Sequence, residues 1–358
     1  MSYLVIGATG FLGRFLVPEL LKRGADIHIL VRPGEDSVLR YNRCLRDWGV
    51  SDRMHPVRGD LGAPGLGVDP GWLAAHRGSI DHVFHLAAGF DSVGAGGGTH
   101  RVTELAAALE AGRLHHVSTL RIAGAWEGVF TEDMTDVGQL LPTPYQRAML
   151  RAEQVVREQT AVPWRVYRPA IVIGDSRTGE IDRIDGPYYF FRLLRMAAQL
   201  PRILPVVAPE LGETNMVPVD FVARALDHIA HLPGDEPSTY HLADPREQSV
   251  AEAFNLFADE AGAPHLIEVM PKQTLDVTLR VPGMGWALRQ IGIPMDVIED
   301  SEFACRFDSR QTAAALAGTD IKVPPLAAYA SVVWKYWIEN WVLRQRKMRE
   351  RIRIENRL

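Results

Sequence analysis

The chain has 358 residues, 47% of them hydrophobic and 23% charged, with a formal net charge of -5. That composition suits one α/β domain with a smaller subdomain, and its acidic balance argues against nucleic acid as a partner. Cys44 and Cys305 are far apart and lack metal-ligand spacing, so neither a disulfide framework nor a metal site is expected, and a reducing cytoplasm is the natural compartment. A strand begins almost at once, which leaves no room for a signal peptide, and no run of about 20 apolar residues offers a membrane span.

The apolar run Tyr3-Leu4-Val5-Ile6 meets Gly7-Ala8-Thr9-Gly10-Phe11-Leu12-Gly13 and then the helical pattern Phe15-Leu16-Val17-Leu20-Leu21, capped at Gly24. Strand, glycine turn and helix in this order predict a dinucleotide site: the glycines allow a tight turn, close approach of backbone N–H groups to a pyrophosphate, and close packing of helix on strand. The helix N-terminus adds partial positive charge. A second strand, Asp26 to Val31, leads to Arg32, where an NAD-preferring fold would carry an acidic residue. Arg32, aided by Arg40, therefore predicts NADP(H) with its 2′-phosphate.

A third strand, Met54 to Leu61, brings Asp60 and Leu61 to the adenine side. A fourth, Asp81 to Ala88, is apolar enough to be buried, and Leu86, Ala87 and Ala88 would let backbone approach the cofactor. After Gly94 to Gly98 a helix covers Val102 to Leu109, a fifth strand covers His115 to Leu120, and a helix carries Tyr145, Met149 and Glu153. Trp164 to Gly174 reads as one further strand. The alternation predicts an α/β fold of Rossmann type, a doubly wound parallel sheet with ligands at its carboxyl edge.

Beyond Gly174 the alternation loosens. Pro187-Tyr188-Tyr189-Phe190-Phe191 opens an apolar helix reaching Leu200, whose aromatics suit either a substrate pocket or a core. Val217-Pro218-Val219-Asp220 leads into a helix to His231, Tyr240-His241-Leu242 is strand-like, and Ser249 caps another helix. Expected domains are 1–174 for cofactor binding, 175–326 as a mostly substrate-binding C-terminal subdomain with returning Rossmann elements, and 327–358 as a basic, Trp-rich helix. Trp334, Trp337, Trp341, Met348 and Ile352 share one helical face. Docking on the chain's own domain or a sister subunit is the expected use of that face, with contact of residues 334–358 with a peripheral membrane surface or a protein as the alternative.

These residues resemble the extended branch of the short-chain dehydrogenase/reductase family over Gly7 to about Tyr336. The nearest shape is that of fatty acyl-CoA and carrier-protein thioester reductases, on Gly174-Asp175-Ser176-Arg177-Thr178-Gly179, Asp185-Gly186-Pro187-Tyr188-Tyr189 and Asn215-Met216-Val217-Pro218-Val219-Asp220. The resemblance implies a hydroxyl at Thr119, with Ser118 beside it, and a catalytic phenol at Tyr145. It also implies Tyr145, Arg168 and Pro169 at the cofactor, and Asp185, Pro187, Tyr188 and Tyr189 at an apolar carbonyl or acyl-thioester substrate.

Two positions depart from the family pattern. Met149 occupies the place of the family lysine, which would favour the phenolate of a tyrosine titrating near 10 and would hold the nicotinamide ribose. Methionine offers neither charge nor donors. Arg147 and Arg151 lie off the face that four-residue spacing selects, and no lysine occurs between Lys22 and Lys272. Counting back from Thr99, the position of the family's relay asparagine falls on Ala95. The sequence thus predicts an NADPH-dependent reductase with an altered site. The alternatives are a dinucleotide-binding protein without turnover, a lyase or dehydratase on the same fold, and a trapped Lys→Met variant of an ordinary reductase. A homodimer is left open.

Overall fold

The computed structural model describes residues 1–49, 52–86, 97–181, 188–203, 205–246, 248–271, 274 and 303–340, with the backbone alone at Tyr189. In chain order the elements are β1 (Ser2–Ile6), α1 (Phe11–Lys22), β2 (Asp26–Val31), α2 (Glu35–Trp48), β3 (Met54–Arg58), α3 (Pro70–His76), β4 (His82–His85), α4 (Gly97–Ala108), β5 (Arg113–Val117), β6 (Gly128–Phe130), α5 (Pro144–Glu158) and β7 (Trp164–Pro169). There follow β8 (Ile171–Ile173), α6 (Tyr188–Ala197), β9 (Val206–Pro209), β10 (Glu213–Thr214), β11 (Met216–Pro218), α7 (Val219–Ala230), β12 (Ser238–Leu242), β13 (Gln248–Ser249), α8 (Val250–Ala261), β14 (Leu266–Met270), β15 (Cys305–Phe307) and α9 (Arg310–Ala315). Residues 330–340 are also helical.

The chain divides into two units, one made of 1–170, 219–245 and 304–322, the other of 171–218, 246–303 and 323–358. In the first, seven strands form a sheet in the order β12-β7-β5-β4-β1-β2-β3, with every pairing parallel. This is the doubly wound α/β arrangement expected from strand and helix alternation. Residues two apart on a strand share a face. Leu4, Ile6, Val83, Leu114 and Val166 accordingly form one buried cluster with Val102, Leu105 and Ala106 of α4 and Val156 of α5. On this geometry α4 and α5 run antiparallel to the strands, so each begins at the carboxyl edge of the sheet.

In the second unit α6, α8 and the helical stretch at 330–340 enclose a core that includes Phe191, Phe254, Phe257, Tyr329, Trp334 and Trp337. Both tryptophans are buried, so the described part of the Trp-rich stretch docks on its own unit; Trp341, Met348 and Ile352 lie outside the described residues. Ser249 caps α8 as expected, with a reciprocal bond between the Ser249 backbone N–H and the Glu252 carboxylate.

One expected strand is two. The run from Trp164 to Gly174 stays extended, but its partner changes between neighbouring residues: Ala170 N–H donates to the Leu242 carbonyl and Ile171 N–H to the Asn215 carbonyl. β7 therefore belongs to the large sheet, whereas β8 pairs with β11 in the second unit. An apolar β-branched run specifies extension but not the strand it pairs with. The third, fourth and fifth strands are also shorter than expected at their carboxyl ends, and the chain leaves each of them toward the loops of that edge.

Candidate functional site

The glycine turn between β1 and α1 has the geometry a dinucleotide needs. Gly7 has φ of 93°, a left-handed conformation that L side chains rarely adopt, and its carbonyl accepts the Gly10 N–H at 3.0 Å. A side chain at Gly13 would collide with the backbone of Ala8, its Cβ lying 2.6 Å from the Ala8 carbonyl carbon. The third glycine therefore lets α1 press against the turn. No side chain caps α1, and its first turn carries no acidic residue. Gly10 is exposed, so the N–H groups of the first turn face outward beside a positive helix end. These residues fit a pyrophosphate, with Thr9, Phe11 and Leu12 in the same turn.

Arg32 leaves the carboxyl end of β2 exposed and pairs with Asp60 across 3.8 Å, which puts the arginine and the acidic residue of the adenine side next to one another. Arg40 is exposed on α2 and donates to the Ser37 hydroxyl at 3.3 Å. Leu61 and Leu86 are partly exposed just beyond β3 and β4. The Leu86 N–H bonds the Ile6 carbonyl at 2.9 Å, continuing the β1 ladder to the glycine turn. Ala87, Ala88 and Ala95 lie outside the described residues.

Ser118 and Thr119 follow β5 at the same edge. Both are nearly buried, and the Thr119 hydroxyl oxygen accepts the Arg121 N–H at 3.2 Å, capping the short turn Leu120–Ala123. Across from it α5 opens on a capping box between Thr143 and Gln146, with Pro144 in its first turn. Tyr145 is the second helical residue and is 44% exposed. One turn on, Met149 is 3% exposed and packs in a cluster with Ile122, Ala123, Phe130 and Leu150. The Met149 side chain thus seats α5 on the turn that follows Thr119. Arg147 donates to the Leu141 and Pro142 carbonyls, and Arg151 pairs with Glu158 at 3.5 Å, so both are engaged away from the Met149 face.

Two expected positions need correction. Arg168 does not present its guanidinium to a cofactor: it is fully buried and gives a two-point bond to Glu153, at 2.6 and 3.0 Å. Pro169 beside it is likewise buried. Tyr188 does not line an open pocket. Its hydroxyl oxygen accepts the Gly174 N–H at 2.7 Å, its ring packs edge-on against Phe191, and burial pushes its pKa far up. Asp185 and Pro187 lie outside the described residues, as does the Tyr189 side chain.

Sequence reading missed the charged and imidazole groups beneath this edge. Burial alone would raise the Glu153 carboxyl, but Arg168 and Arg157 hold it down at about 2. The Ser118 hydroxyl lies beside that carboxylate and helps lower it, at a geometry short of a full hydrogen bond. His85 and His116 contact through their Nδ1 atoms at 3.0 Å and are both held neutral by burial. Glu153 had a sequence signal: a charge eight residues after Tyr145 falls on the inward face of α5. Among the described residues, no group of three or more His, Cys, Asp or Glu could hold a metal ion, and no helix is long and apolar enough to cross a membrane.

A parallel sheet of order 3-2-1-4-5-7-12 with a glycine turn at its carboxyl edge, and with Thr119 after β5 and Tyr145 at the start of α5 on that same edge, is the arrangement of an extended short-chain dehydrogenase/reductase. Residues 5–226 match the model of an NAD-binding family described as "Male sterility protein", and the chain belongs to that family. Its likeness is to acyl-thioester reductases. The chain is 32% identical to a linear gramicidin synthase polypeptide of Brevibacillus parabrevis over 266 residues, 68% of this chain and 5% of that protein. It is 30% identical to a glycine betaine reductase of Emericella nidulans over 281 residues, 71% of this chain and 22% of that one. The chain thus spans only a small part of the curated relatives it matches. Among solved structures, the terminal R domain from the myxalamid PKS-NRPS pathway superposes with a TM-score of 0.74 at 26% identity, over 95% of this chain and 90% of that one.

Proposed function

We propose that this protein is an NADPH-dependent reductase of an acyl thioester or an apolar carbonyl compound, working in the cytoplasm with Met149 in place of the family lysine. The observation that carries the reading is the convergence of the glycine turn, Thr119 and Tyr145 on one edge of the sheet. When bound, NADPH would supply a hydride to the carbonyl carbon. Thr119 would donate a hydrogen bond to the carbonyl oxygen, and Tyr145, half-exposed and so rechargeable from water, would give the proton that the reduced oxygen needs. On a thioester, the C–S bond then breaks, leaving an aldehyde and a thiol.

Arg32 supports the 2′-phosphate form of the cofactor, since a guanidinium can bind phosphate through two points and is weakly held by the exposed Asp60. The test is consumption of NADPH and NADH by the purified protein against panels of acyl-CoA thioesters and aldehydes. NADPH turnover with at least one panel is expected, and Arg32→Ala should erode the preference over NADH about tenfold or more. Absence of turnover with every substrate would overturn the reading. A second reading, cofactor binding without turnover, is favoured by one observation: the buried Met149 thioether stands where a cation would act. It predicts NADPH binding with no consumption.

A further inference from the structure

Tyr145, Met149 and Glu153 are spaced by four residues and form one stripe along α5. The stripe runs from a half-exposed phenol to a carboxylate with no exposure at all. At its deep end, Glu153 accepts two bonds from Arg168 of β7 and one from Arg157 Nε at 2.8 Å. Arg157 also donates to the Thr239 hydroxyl of β12 at 2.6 Å. Arg168 goes on to donate to the carbonyl of Met134 at 2.6 Å and to the Thr135 hydroxyl at 3.3 Å, and it contacts His241 Nε2 at 3.0 Å. The Ser118 hydroxyl, one residue before Thr119, lies beside the same carboxylate at a geometry short of a full hydrogen bond. One buried anion therefore joins α5, β7, β12 and the loop around Met134.

A buried ion pair gains little net stability over apolar side chains of like volume, because desolvating both charges offsets their attraction. What it does fix is register. Met149 packs on Ile122 and Ala123 through a flexible, adaptable side chain that tolerates sliding. A two-point guanidinium–carboxylate bond does not tolerate it. With no ammonium at position 149, the first polar anchor behind Tyr145 on this stripe is Glu153. We infer that Glu153, held by Arg168, is the positioning residue that sets the spacing of the Tyr145 phenol from the Thr119 hydroxyl. The inference rests on the reductase reading.

The test compares Glu153→Asp, which keeps the charge and shortens its reach by one methylene, with the double variant Glu153→Leu/Arg168→Met, which replaces the pair by apolar groups. Both are expected to keep the NADPH dissociation constant near wild type, measured below a melting temperature that the broken contacts lower, while kcat falls by up to about 100-fold, since a displacement of about 1 Å at reacting groups costs that much. Wild-type kcat in either folded variant would overturn the inference. Backbone amide exchange gives a readout independent of turnover. Amides of residues 146–151 should exchange faster in Glu153→Asp, with those of α4 unchanged. Equal exchange in the two proteins would overturn the positioning role, whereas a wild type without turnover counts against the reductase reading alone.

Discussion

Position 149 concentrates the question of activity. Its thioether is buried against Ile122 and Ala123, so a lysine there would carry its stem along the same contacts and extend its ammonium toward the open end of α5. Met149→Lys is expected to raise NADPH turnover by orders of magnitude if the site is a weakened reductase. A fall in activity would mean that the methionine belongs to a different mechanism. Gly13 makes a sharper case on the cofactor side. Gly13→Ala puts a methyl group into the Ala8 backbone, and fluorescence titration should show NADPH affinity reduced at least about tenfold in a chain that still folds.

At this scale the sequence was informative where residue type and conformation coincide. Gly7 and Gly13 could be recognised because backbone geometry admits hardly any other residue. Arg168 could not be placed, because an arginine at the end of a strand looks alike whether it meets a phosphate or a buried glutamate. Glu132 was equally hidden: its carboxylate collects the N–H groups of His241, Gln311 and Thr312, partners more than 100 residues away in sequence.

Among elements, the order of strands and helices was legible throughout the large sheet, since a parallel sheet with helices on both faces imposes one hydrophobic code. The break between β7 and β8 was not read, although Pro169, which cannot donate to a ladder, is the last residue of β7 and stands where the pairing partner changes. Aromatic spacing also left α6 undecided between pocket and core, and Tyr188 shows why: its ring is core, while its hydroxyl bonds the Gly174 backbone. The helical stretch at 330–340 has a definite stability consequence. Trp337 is 1% exposed and meets Phe191 edge-on at 5.5 Å between centroids. Trp337→Ala should cost about 3–5 kcal/mol, read as a lowered urea midpoint.

For the whole molecule, acid should be the most disruptive condition. Burial, with neighbouring positive groups second in most cases, lowers His28, His82 and His116 to about 4 and His241 to about 3. The unfolded chain protonates these imidazoles near 6.5 and the folded chain resists until about 4, so their contribution is complete above 6.5 and is lost as pH falls through that window. Each fully buried imidazole stands for roughly 3 kcal/mol, against a total stability of about 5–15 kcal/mol. Melting temperature should be flat from pH 8 to 7 and fall steeply from 6 to 5, before Glu153, held at about 2, begins to titrate. A fall that begins only below pH 4 would assign acid sensitivity to carboxylates instead.

Each compact unit is assembled from three separate stretches of chain, which alternate from 1–170 through 323–358. Neither can be excised as a continuous fragment. A gene truncated after Ala170 would encode β1 to β7 without β12 and α7, leaving the β7 edge unpaired and α1 without the helix it packs against. Protease nicking in a loop should accordingly leave the pieces associated until denaturant separates them. The ribosome must also release nearly the whole polypeptide before either half can close, so premature termination yields no working remnant.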